Sequence, residues 1–231
     1  LVRDLPDRAV LAKPPGWEVD VGERPAADDE RAPAQVSRFL QQHFPARRWP
    51  VPHSRRQHFG LLHRLDAPSS GLLLAAKTYR AYYDLQLQLD LGSLRREYTV
   101  LCHGRLAAGR AELSARLRYS GEAAVPSEVS ECGKPALTFL GTREHLRREH
   151  AAFSLVSIRI GTGRRHQIRV HMAHIGHALA ADFLYASRAV ARSDAAWCQR
   201  QFLHRHALGF RDGRGLQRTV AAPLPADLAG A

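Results

Sequence analysis

The stretch Gly60 to Thr78, which reads GLLHRLDAPSSGLLLAAKT, constrains the fold more than any other part of the chain. Two short apolar runs, Leu61 to Leu65 and Leu72 to Ala76, flank a segment that contains Pro, Ser, Ser and Gly. Runs of this length, separated by turn residues, favour two β-strands over one helix. Asp66 is the one carboxylate of the stretch and follows a His and an Arg. The connecting loop is therefore either a solvated turn or an active-site loop.

The rest of the chain alternates short strand-like segments with a small number of helices. Ala9 to Ala12 and Arg96 to His103 read as strands, whereas Ala34 to Phe44 and Tyr79 to Leu91 have the apolar spacing of helices. The charged segment Glu23 to Arg31 is expected to be an exposed loop. With 231 residues and 45% hydrophobic content, the chain can bury one full-sized core. The sequence therefore predicts an α+β fold in a single domain.

The charge balance is unusual, because the formal net charge is +12. Of the 34 basic residues only Lys13, Lys77 and Lys134 are lysines, so 31 are arginines. Planar guanidinium groups suit the recognition of phosphates and bases better than ammonium groups do. This composition points to a nucleic-acid partner, although a solvated basic surface produces it as well. The segment FPARRWPVPHSRRQ, with three prolines and four arginines, is expected to be a basic loop outside the core.

The cysteines and the apolar runs indicate where the protein acts. Cys102, Cys132 and Cys198 are widely spaced and form no Cys-x-x-Cys pair, which argues against a disulfide framework and for a reducing compartment. The sequence has neither an apolar run long enough to span a membrane nor a signal-peptide pattern at its start. We therefore expect a cytoplasmic or organellar location, no secretion and no membrane partner.

The segment TGRRHQIRVHMAHIGH is predicted to be a helix that Gly176 ends. At 100° per residue, Ile168 and Met172 belong to its buried stripe, and Arg165 and Arg169 lie one turn apart on the flank of that stripe. The flank is either a solvated basic face or the lining of a cleft. In a cleft, a guanidinium fork could hold the lone loop carboxylate in its ionised form.

Neither a metal site nor a nucleophilic triad is predicted. His171, His174 and His177 are spaced by three, but no Cys or acidic residue is near them in sequence, and the glycine ends the helix before the third. Polar residues on a basic, RNA-facing surface explain them better than metal ligands do. Ser69 and Ser70 lack a Gly-x-Ser-x-Gly setting, and no glycine loop with the spacing of a phosphate cradle occurs. We expect no metal and no cofactor.

Six segments, in order along the chain, carry the motifs of one enzyme family. HRLDAPSSGLLLAAK has the pattern HRLD-x-x-[TS]-SGLLL-x-AK, and TGRRHQIRVHMAHIGHALAADFLY follows TGR-x-HQIR-x-H-x-x-x-x-GHP-x-x-GD-x-x-Y. AVLAKPPGWEV, RREYTVLCHG, GKPALTFL, and FLHRHALGF with APLPADL complete the series. From about Ala9 to Leu228 the chain resembles the RluA-type pseudouridine synthases. Members of this family isomerise uridine to pseudouridine within RNA, without a cofactor or metal.

The resemblance implies a role for particular residues. Asp66 would be the catalytic aspartate, Tyr98 would pack against the target uracil, and Arg169 would pair with the aspartate. The side chains of the same motifs that would bind RNA are His63, Arg64, Lys77, Arg164, Arg165, His166 and Gln167. A stacked uridine must be flipped out to react, at a cost of a few kcal/mol, and stacking on a ring such as Tyr98 would return about 1–3 kcal/mol.

The resemblance also implies the architecture and the partners. It predicts one catalytic domain over residues 1–231, with a mixed, largely antiparallel sheet flanked by helices and a central RNA-binding cleft. The small N-terminal RNA-binding domain of many relatives is not expected in this chain, and the segment GHALAAD lacks the Pro and the second Gly of the family pattern. The partner is ribosomal or transfer RNA, and the protein is expected to be a monomer. The alternative is an RNA-binding structural subunit of a larger ribonucleoprotein assembly.

Overall fold

The computed structural model describes residues 1–19, 34–121 and 125–231 and has the predicted α+β composition, with mostly antiparallel strands and a few helices. It forms two compact units. The first unit comprises Leu1–Arg95 and Ala207–Ala222, and the second comprises Arg96–His206 and Pro223–Ala231. The single catalytic domain and its central cleft stay predictions, and the predicted loop from Glu23 to Arg31 lies outside the described residues.

Strands and helices of different lengths alternate along the chain. The strands are β1 (Arg3–Asp4), β2 (Arg8–Lys13), β3 (Ser70–Ala76), β4 (Arg95–His103), β5 (Glu112–Arg118), β6 (Glu128–Val129), β7 (Lys134–Arg148), β8 (Ala151–Ile160), β9 (Leu203–Arg211) and β10 (Gln217–Ala221). The helices are α1 (Val36–His43), α2 (Tyr79–Asp90), α3 (Gln167–His174), α4 (Arg188–Asp194) and α5 (Ala226–Ala229). Across the described ranges, none of the helices is long and apolar enough to span a bilayer.

The first unit is built around β3, all of whose residues are buried. Strand β2 lies between β1 and β3 and is antiparallel to both, so that Leu11 faces Leu73 across the ladder. The part of β9 from Ala207 onward pairs with β10. Side chains from β3, from α2 and from the end of β9 form one core, in which Leu74, Leu85 and Phe210 are fully buried.

Helix α2 confirms the prediction for Tyr79 to Leu91 almost to the residue. The hydroxyl of Thr78 accepts a hydrogen bond from the amide of Ala81 at 3.2 Å and so caps the helix. Ala81, Tyr82 and Leu85 are buried at helical spacing. The helix ends before Gly92, whose φ of +66° is the left-handed conformation that glycine adopts at least cost.

Two predictions for the residues before β3 are wrong. Leu61 to Leu65 is not a strand, because Leu61 makes a single bridge with Ala75 and the residues after it form no ladder. His58, Phe59 and Gly60 all have positive φ, and this left-handed run turns the chain so that Leu61 and Leu65 are buried without a strand register. The preceding basic segment is also not wholly outside the core, since Val51 is fully buried in it.

The second unit contains an antiparallel sheet in the order β4-β8-β7-β5-β6. Strand β7 is long and carries a register shift between Leu140 and Arg143, the position where it bends away from a simple ladder. A separate core packs Leu101, Phe153 and Phe202 together with residues near the end of the chain. This sheet supports α3, the helix predicted to carry functional arginines.

Helix α3 begins later than predicted but ends as predicted. His166 has a φ of +55°, so the helix starts at Gln167 and Arg165 lies outside it. Arg165 and Arg169 therefore do not share a helix flank, and Arg169 is buried. At the other end, the amide of His177 donates to the carbonyl of Met172 at 2.8 Å and that of Gly176 to Ala173 at 2.9 Å, which is a Schellman cap.

Gly60 has a close backbone contact that a matched glycine lacks, which allows a test by substitution. A Cβ on Gly60 would lie 2.3 Å from the carbonyl oxygen of Ala76, whereas a Cβ on Gly92 would meet nothing within 4 Å. Both residues have positive φ, so Gly92→Ala is expected to cost about 1–2 kcal/mol. Gly60→Ala is expected to cost more than about 4 kcal/mol. Denaturant unfolding measures both, and equal losses would contradict the close contact.

Candidate active site

Asp66 lies in a tight turn that leads directly into β3. The amide of Ser69 donates to the carbonyl of Asp66 at 3.0 Å and closes the turn. Ser69 and Ser70 are buried, while the Asp66 side chain is half-buried. The turn is attached to β3, which is buried along its whole length. The carboxylate thus sits on a fixed backbone with partial access to solvent.

Lys13 fastens the Asp66 turn to the turn that follows β2. Its ammonium group is buried and donates to the carbonyls of Pro14 at 3.0 Å, Trp17 at 2.8 Å and Ala67 at 3.0 Å. The amide of Gly16 donates to the same Ala67 carbonyl at 2.8 Å. A buried charge is tolerated only where hydrogen bonds replace its hydration. Lys13 begins the KPPG part of the family segment AVLAKPPGWEV, but no role was predicted for it from the sequence.

Tyr98 is buried on β4 and is held by an arginine that the sequence reasoning did not identify. Arg205 of β9, which is 1% exposed, donates from Nη2 to the Tyr98 hydroxyl at 2.5 Å. Its Cζ lies 4.9 Å from the centroid of the Tyr98 ring. The hydrogen bond and the cation–π contact act on different parts of the ring and fix its orientation together. In the sequence, Arg205 is marked only by its place in the family segment FLHRHALGF.

Arg96 completes a buried group that we call the Tyr98 cluster, which consists of Arg96, Tyr98 and Arg205. Arg96 and Tyr98 are two residues apart on β4 and point to the same side of the strand. Burial lowers the pKa of Arg96, nearby Arg205 lowers it further, and Tyr98 opposes the shift. Among the described residues, Nε of Arg96 has no hydrogen-bond partner. The second unit therefore concentrates positive charge around a single tyrosine.

Arg169 forms a buried, bidentate ion pair with Asp182. Nε donates to Oδ2 at 2.8 Å and Nη2 donates to Oδ1 at 2.7 Å. Oδ1 also accepts from the amides of Leu184 and Tyr185, so the loop after α3 is built around this carboxylate. Asp182 was missed as a functional residue, although it is the Asp of the altered GHALAAD segment. The pairing of Arg169 with Asp66 stays a prediction.

The predicted RNA contacts before α3 occupy different environments. Arg164 is exposed and donates from Nε to the Pro135 carbonyl, and half-exposed Arg165 lies over the ring of Tyr119 at 4.2 Å. His166 is half-buried, with Nδ1 2.9 Å from the Tyr185 hydroxyl. Gln167 is buried. Arg164, the exposed side chain of the group, is therefore the member best placed to meet a ligand.

Gln167 begins a polar chain that links the loop before α3 to the sheet. Its Oε1 accepts from the Thr162 hydroxyl and the Arg164 amide, while Nε2 donates to Thr138 Oγ1 at 3.0 Å. The Thr138 hydroxyl lies 3.0 Å from Nδ1 of His171, whose Nε2 is 3.3 Å from the Ala115 carbonyl. The Gln167 side chain thus supports the fold, and its RNA contact stays a prediction that burial argues against.

His171 is not a surface residue, which corrects the reading of the three histidines as an RNA-facing group. It is buried, and the neutral form with a proton on Nε2 satisfies both contacts described above. Burial lowers its pKa, and the hydrogen bond to Ala115 only partly offsets that effect. Within the described residues, no three His, Cys, Asp or Glu side chains come together as metal ligands.

The predicted RNA contacts in the first unit also differ in exposure. Arg64 is exposed and His63 is half-buried, both in the loop before Asp66. Lys77 is buried, donates to Asp4 at 2.8 Å and lies 4.2 Å from the centroid of the Trp49 ring. These contacts give Lys77 a structural role in the first unit. Its RNA contact stays a prediction that the burial argues against.

Comparison with known proteins identifies the family. The family model described as RNA pseudouridylate synthase matches residues 8–174. The chain belongs to this family. The chain is 35% identical over 171 residues to the uncharacterized RNA pseudouridine synthase YlyB of Bacillus subtilis, which covers 74% of this chain and 54% of that protein. It is 39% identical over 170 residues to ribosomal large subunit pseudouridine synthase C of Yersinia pestis, covering 71% and 51%.

A solved structure supports the same family and fold. Human RNA pseudouridylate synthase domain containing 1 superposes with a TM-score of 0.73 at 25% identity, covering 97% of this chain and 82% of that one. The resemblance to RluA-type synthases and the α+β fold are thereby confirmed. This pseudouridylate synthase chain spans about half the length of the curated relatives it matches.

The Arg205–Tyr98 contact predicts a measurable coupling between the two side chains. Arg205→Met leaves the buried Tyr98 hydroxyl without its donor, which is expected to cost about 1–3 kcal/mol of unfolding free energy. On a Tyr98→Phe background the same change removes no hydrogen bond and is expected to cost about 1–2 kcal/mol less. Denaturant unfolding of the four proteins gives the coupling energy, and a value near zero would refute a stabilising contact.

The lowered pKa of His171 predicts that acid destabilises this protein through the protonation of this residue. Below about pH 6.5 the unfolded chain takes up a proton that the folded protein resists, so the unfolding free energy falls as pH falls. His171→Gln removes that titration and is expected to flatten the dependence between about pH 7.5 and 5.5. Denaturant unfolding across this interval tests it. The exposed His150, changed to Gln, is the control and should leave the slope as in the wild type.

Proposed function

We propose that this chain carries the active site of an RNA pseudouridine synthase and isomerises a uridine in ribosomal or transfer RNA. The C1′–N1 bond of the uridine breaks, the uracil turns, and C1′ rejoins the ring through C5. The proton displaced from C5 ends on N1, so atoms balance without a co-reactant. The observation that carries the proposal is Asp66 in its HRLD turn, fastened by the buried Lys13, in a chain that belongs to this family.

Asp66 is proposed to act on the sugar of the flipped nucleotide as an ionised carboxylate. A carboxylate that loses solvent takes up a proton unless a cation or hydrogen bonds stabilise its charge. The proposal assigns that task to Arg169. The bidentate contact with Asp182 holds the Arg169 guanidinium in a fixed orientation for this task.

Tyr98, which is 3% exposed, is proposed to stack on the extruded uracil after the side chains that cover its ring move aside. Extrusion from a helix costs a few kcal/mol, and an aromatic stacking partner returns about 1–3 kcal/mol of it. A ring that is already fixed by Arg205 loses little conformational freedom when the base arrives, so more of the stacking energy is retained. The Tyr98 cluster thus supports a role in base recognition, because a freely rotating tyrosine would lose more conformational freedom when the base binds.

Ribosomal RNA is the substrate we favour, because most of the relatives compared carry names as ribosomal large subunit synthases. Exposed Arg64 and Arg164 are the proposed phosphate contacts, and the net charge of +12 favours association with RNA generally. The proposal includes a monomer that acts in the cytoplasm or an organelle, where its RNA is made or assembled.

The activity test uses RNA from cells that lack the protein. Wild-type protein is expected to create at least one new pseudouridine, seen as a stop in carbodiimide-blocked primer extension. Asp66→Ala and Asp66→Asn are expected to lower its rate by at least about 1,000-fold, because the reacting carboxylate is gone. Asp90→Asn, which changes an exposed aspartate at the end of α2, is the matched control and should retain the activity.

A complementation assay separates the enzyme from the alternative of a structural subunit. If Asp66→Asn fails to restore growth or ribosome assembly, the chemistry is the function that cells require. Full rescue by Asp66→Asn would instead favour the RNA-binding subunit. Absence of any wild-type stop on total RNA would refute the enzymatic proposal.

A further inference from the structure

Tyr119, which is exposed, and Arg165, which is half-exposed, form a stacked pair in the second unit. Tyr119 follows β5 directly and is 43% exposed, although tyrosine commonly buries most of its ring. The Cζ atom of Arg165 lies 4.2 Å from the centroid of the Tyr119 ring, which is the shorter end of the cation–π range. The aromatic ring and the guanidinium together offer a flat, cationic surface to solvent.

Both partners are held in place by the backbone around them. The Tyr119 hydroxyl donates to the carbonyl of Gly121 at 2.7 Å, which fixes the far end of the ring. Arg165 lies between exposed Arg164 and left-handed His166, so the start of α3 determines where its side chain emerges. The neighbouring Arg118 is engaged by Glu128. The stacked pair therefore exists before any ligand arrives.

A surface of this kind matches an unpaired nucleobase better than it matches a phosphate. Phosphates are recognised by the edge of a guanidinium, through its N–H donors, whereas bases stack on aromatic rings and on guanidinium planes. The Arg165 guanidinium already lies over the Tyr119 ring, with its Cζ atom 4.2 Å from the ring centroid, whereas Arg164 beside it donates from Nε to the Pro135 carbonyl. We thus expect Arg164 to contact a phosphate and Arg165 to contact a base.

We propose that Tyr119 and Arg165 form a stacking site for an unpaired base of the bound RNA, separate from the uridine that reacts. The inference rests on the proposed function, because it assumes that RNA is the ligand of this chain. It adds a base contact at Tyr119, which none of the family motifs contains, and it gives Arg165 a stacking role. Recognition of a neighbouring base in this way would contribute to the choice of target site.

The test compares two fluorescent probes that share a backbone, a 12-nucleotide oligouridine and an abasic oligomer of the same length. Wild-type protein is expected to bind the oligouridine more tightly by about 5-fold to 100-fold, the range that one to two stacked bases supply. Tyr119→Ala and the bulkier Tyr119→Leu should shrink that ratio by at least about 5-fold while leaving the affinity for the abasic oligomer unchanged. Tyr79→Ala, which removes a tyrosine of 46% exposure on α2, is the matched control and should keep the ratio.

Salt dependence distinguishes the two neighbouring arginines. Arg164→Ala is expected to reduce the magnitude of the slope of log affinity against log salt concentration by about 1, the change produced by the loss of one phosphate contact. Arg165→Lys, which keeps the charge but loses the plane, should leave the slope and lower the oligouridine preference. An unchanged preference in Tyr119→Ala and Tyr119→Leu, with thermal melts matching wild type, would overturn the stacking site.

Failure of the stacking site and failure of the proposed function give different results. If the wild type forms pseudouridine but Tyr119→Leu keeps the full oligouridine preference, the proposed enzymatic function is supported and the stacking site is refuted. If the wild type shows the Tyr119-dependent preference but forms no pseudouridine, the stacking site stands in an RNA-binding protein. If neither probe binds in the wild type, the stacking site is refuted whatever the activity assay gives.

Discussion

The structure depends on the partners that it provides for most of the cations that it buries. Removing a charge from water is tolerated only when hydrogen bonds or an opposite charge replace the lost hydration. Among the described residues of this strongly basic chain, the buried lysines and arginines are Arg8, Lys13, Lys77, Arg96, Arg169 and Arg205. Arg8 binds Asp7 and Asp84, Lys77 binds Asp4, and Arg169 binds Asp182. Part of the basic composition therefore stabilises the interior of each unit and does not face solvent.

The same principle connects stability to the chemistry we propose. Each candidate catalytic side chain is next to one of these buried cations or is one itself. Lys13 fixes the turn that carries Asp66, Arg205 fixes the ring of Tyr98, and Arg169 is fixed in turn by Asp182. Charge-assisted hydrogen bonds are directional as well as strong, so they hold geometry more tightly than apolar packing does. A site that must receive a flipped base benefits from such preorganisation.

The sequence predicted the elements whose signals are local. Helix α2 was predicted from the spacing of its apolar residues, and β3 because a buried strand is a plain apolar run. The start of α3 was predicted too early, because the sequence carries no signal for the left-handed conformation of His166. Leu61 to Leu65 was misread because apolar residues buried from a loop resemble those of a short strand.

The candidate site was predictable to a different degree at each residue. Asp66, Tyr98 and Arg164 could be named because a motif carries them. Arg205 and Asp182 could not, because their importance comes from contacts across 107 and 13 residues of sequence that only folding brings about. Burial was equally hidden, since an arginine or lysine in a motif looks the same whether it meets RNA or a carboxylate of its own chain.

The packing of Gly163 against Arg96 has a consequence for how such sequences can diverge. A Cβ at position 163 would lie 2.9 Å from Nη1 of Arg96, so a methyl group there requires the buried guanidinium to shift. The two positions are 67 residues apart in the chain, and substitutions at them are therefore expected to be coupled. A larger residue at 163 is expected to occur together with a shorter side chain at 96.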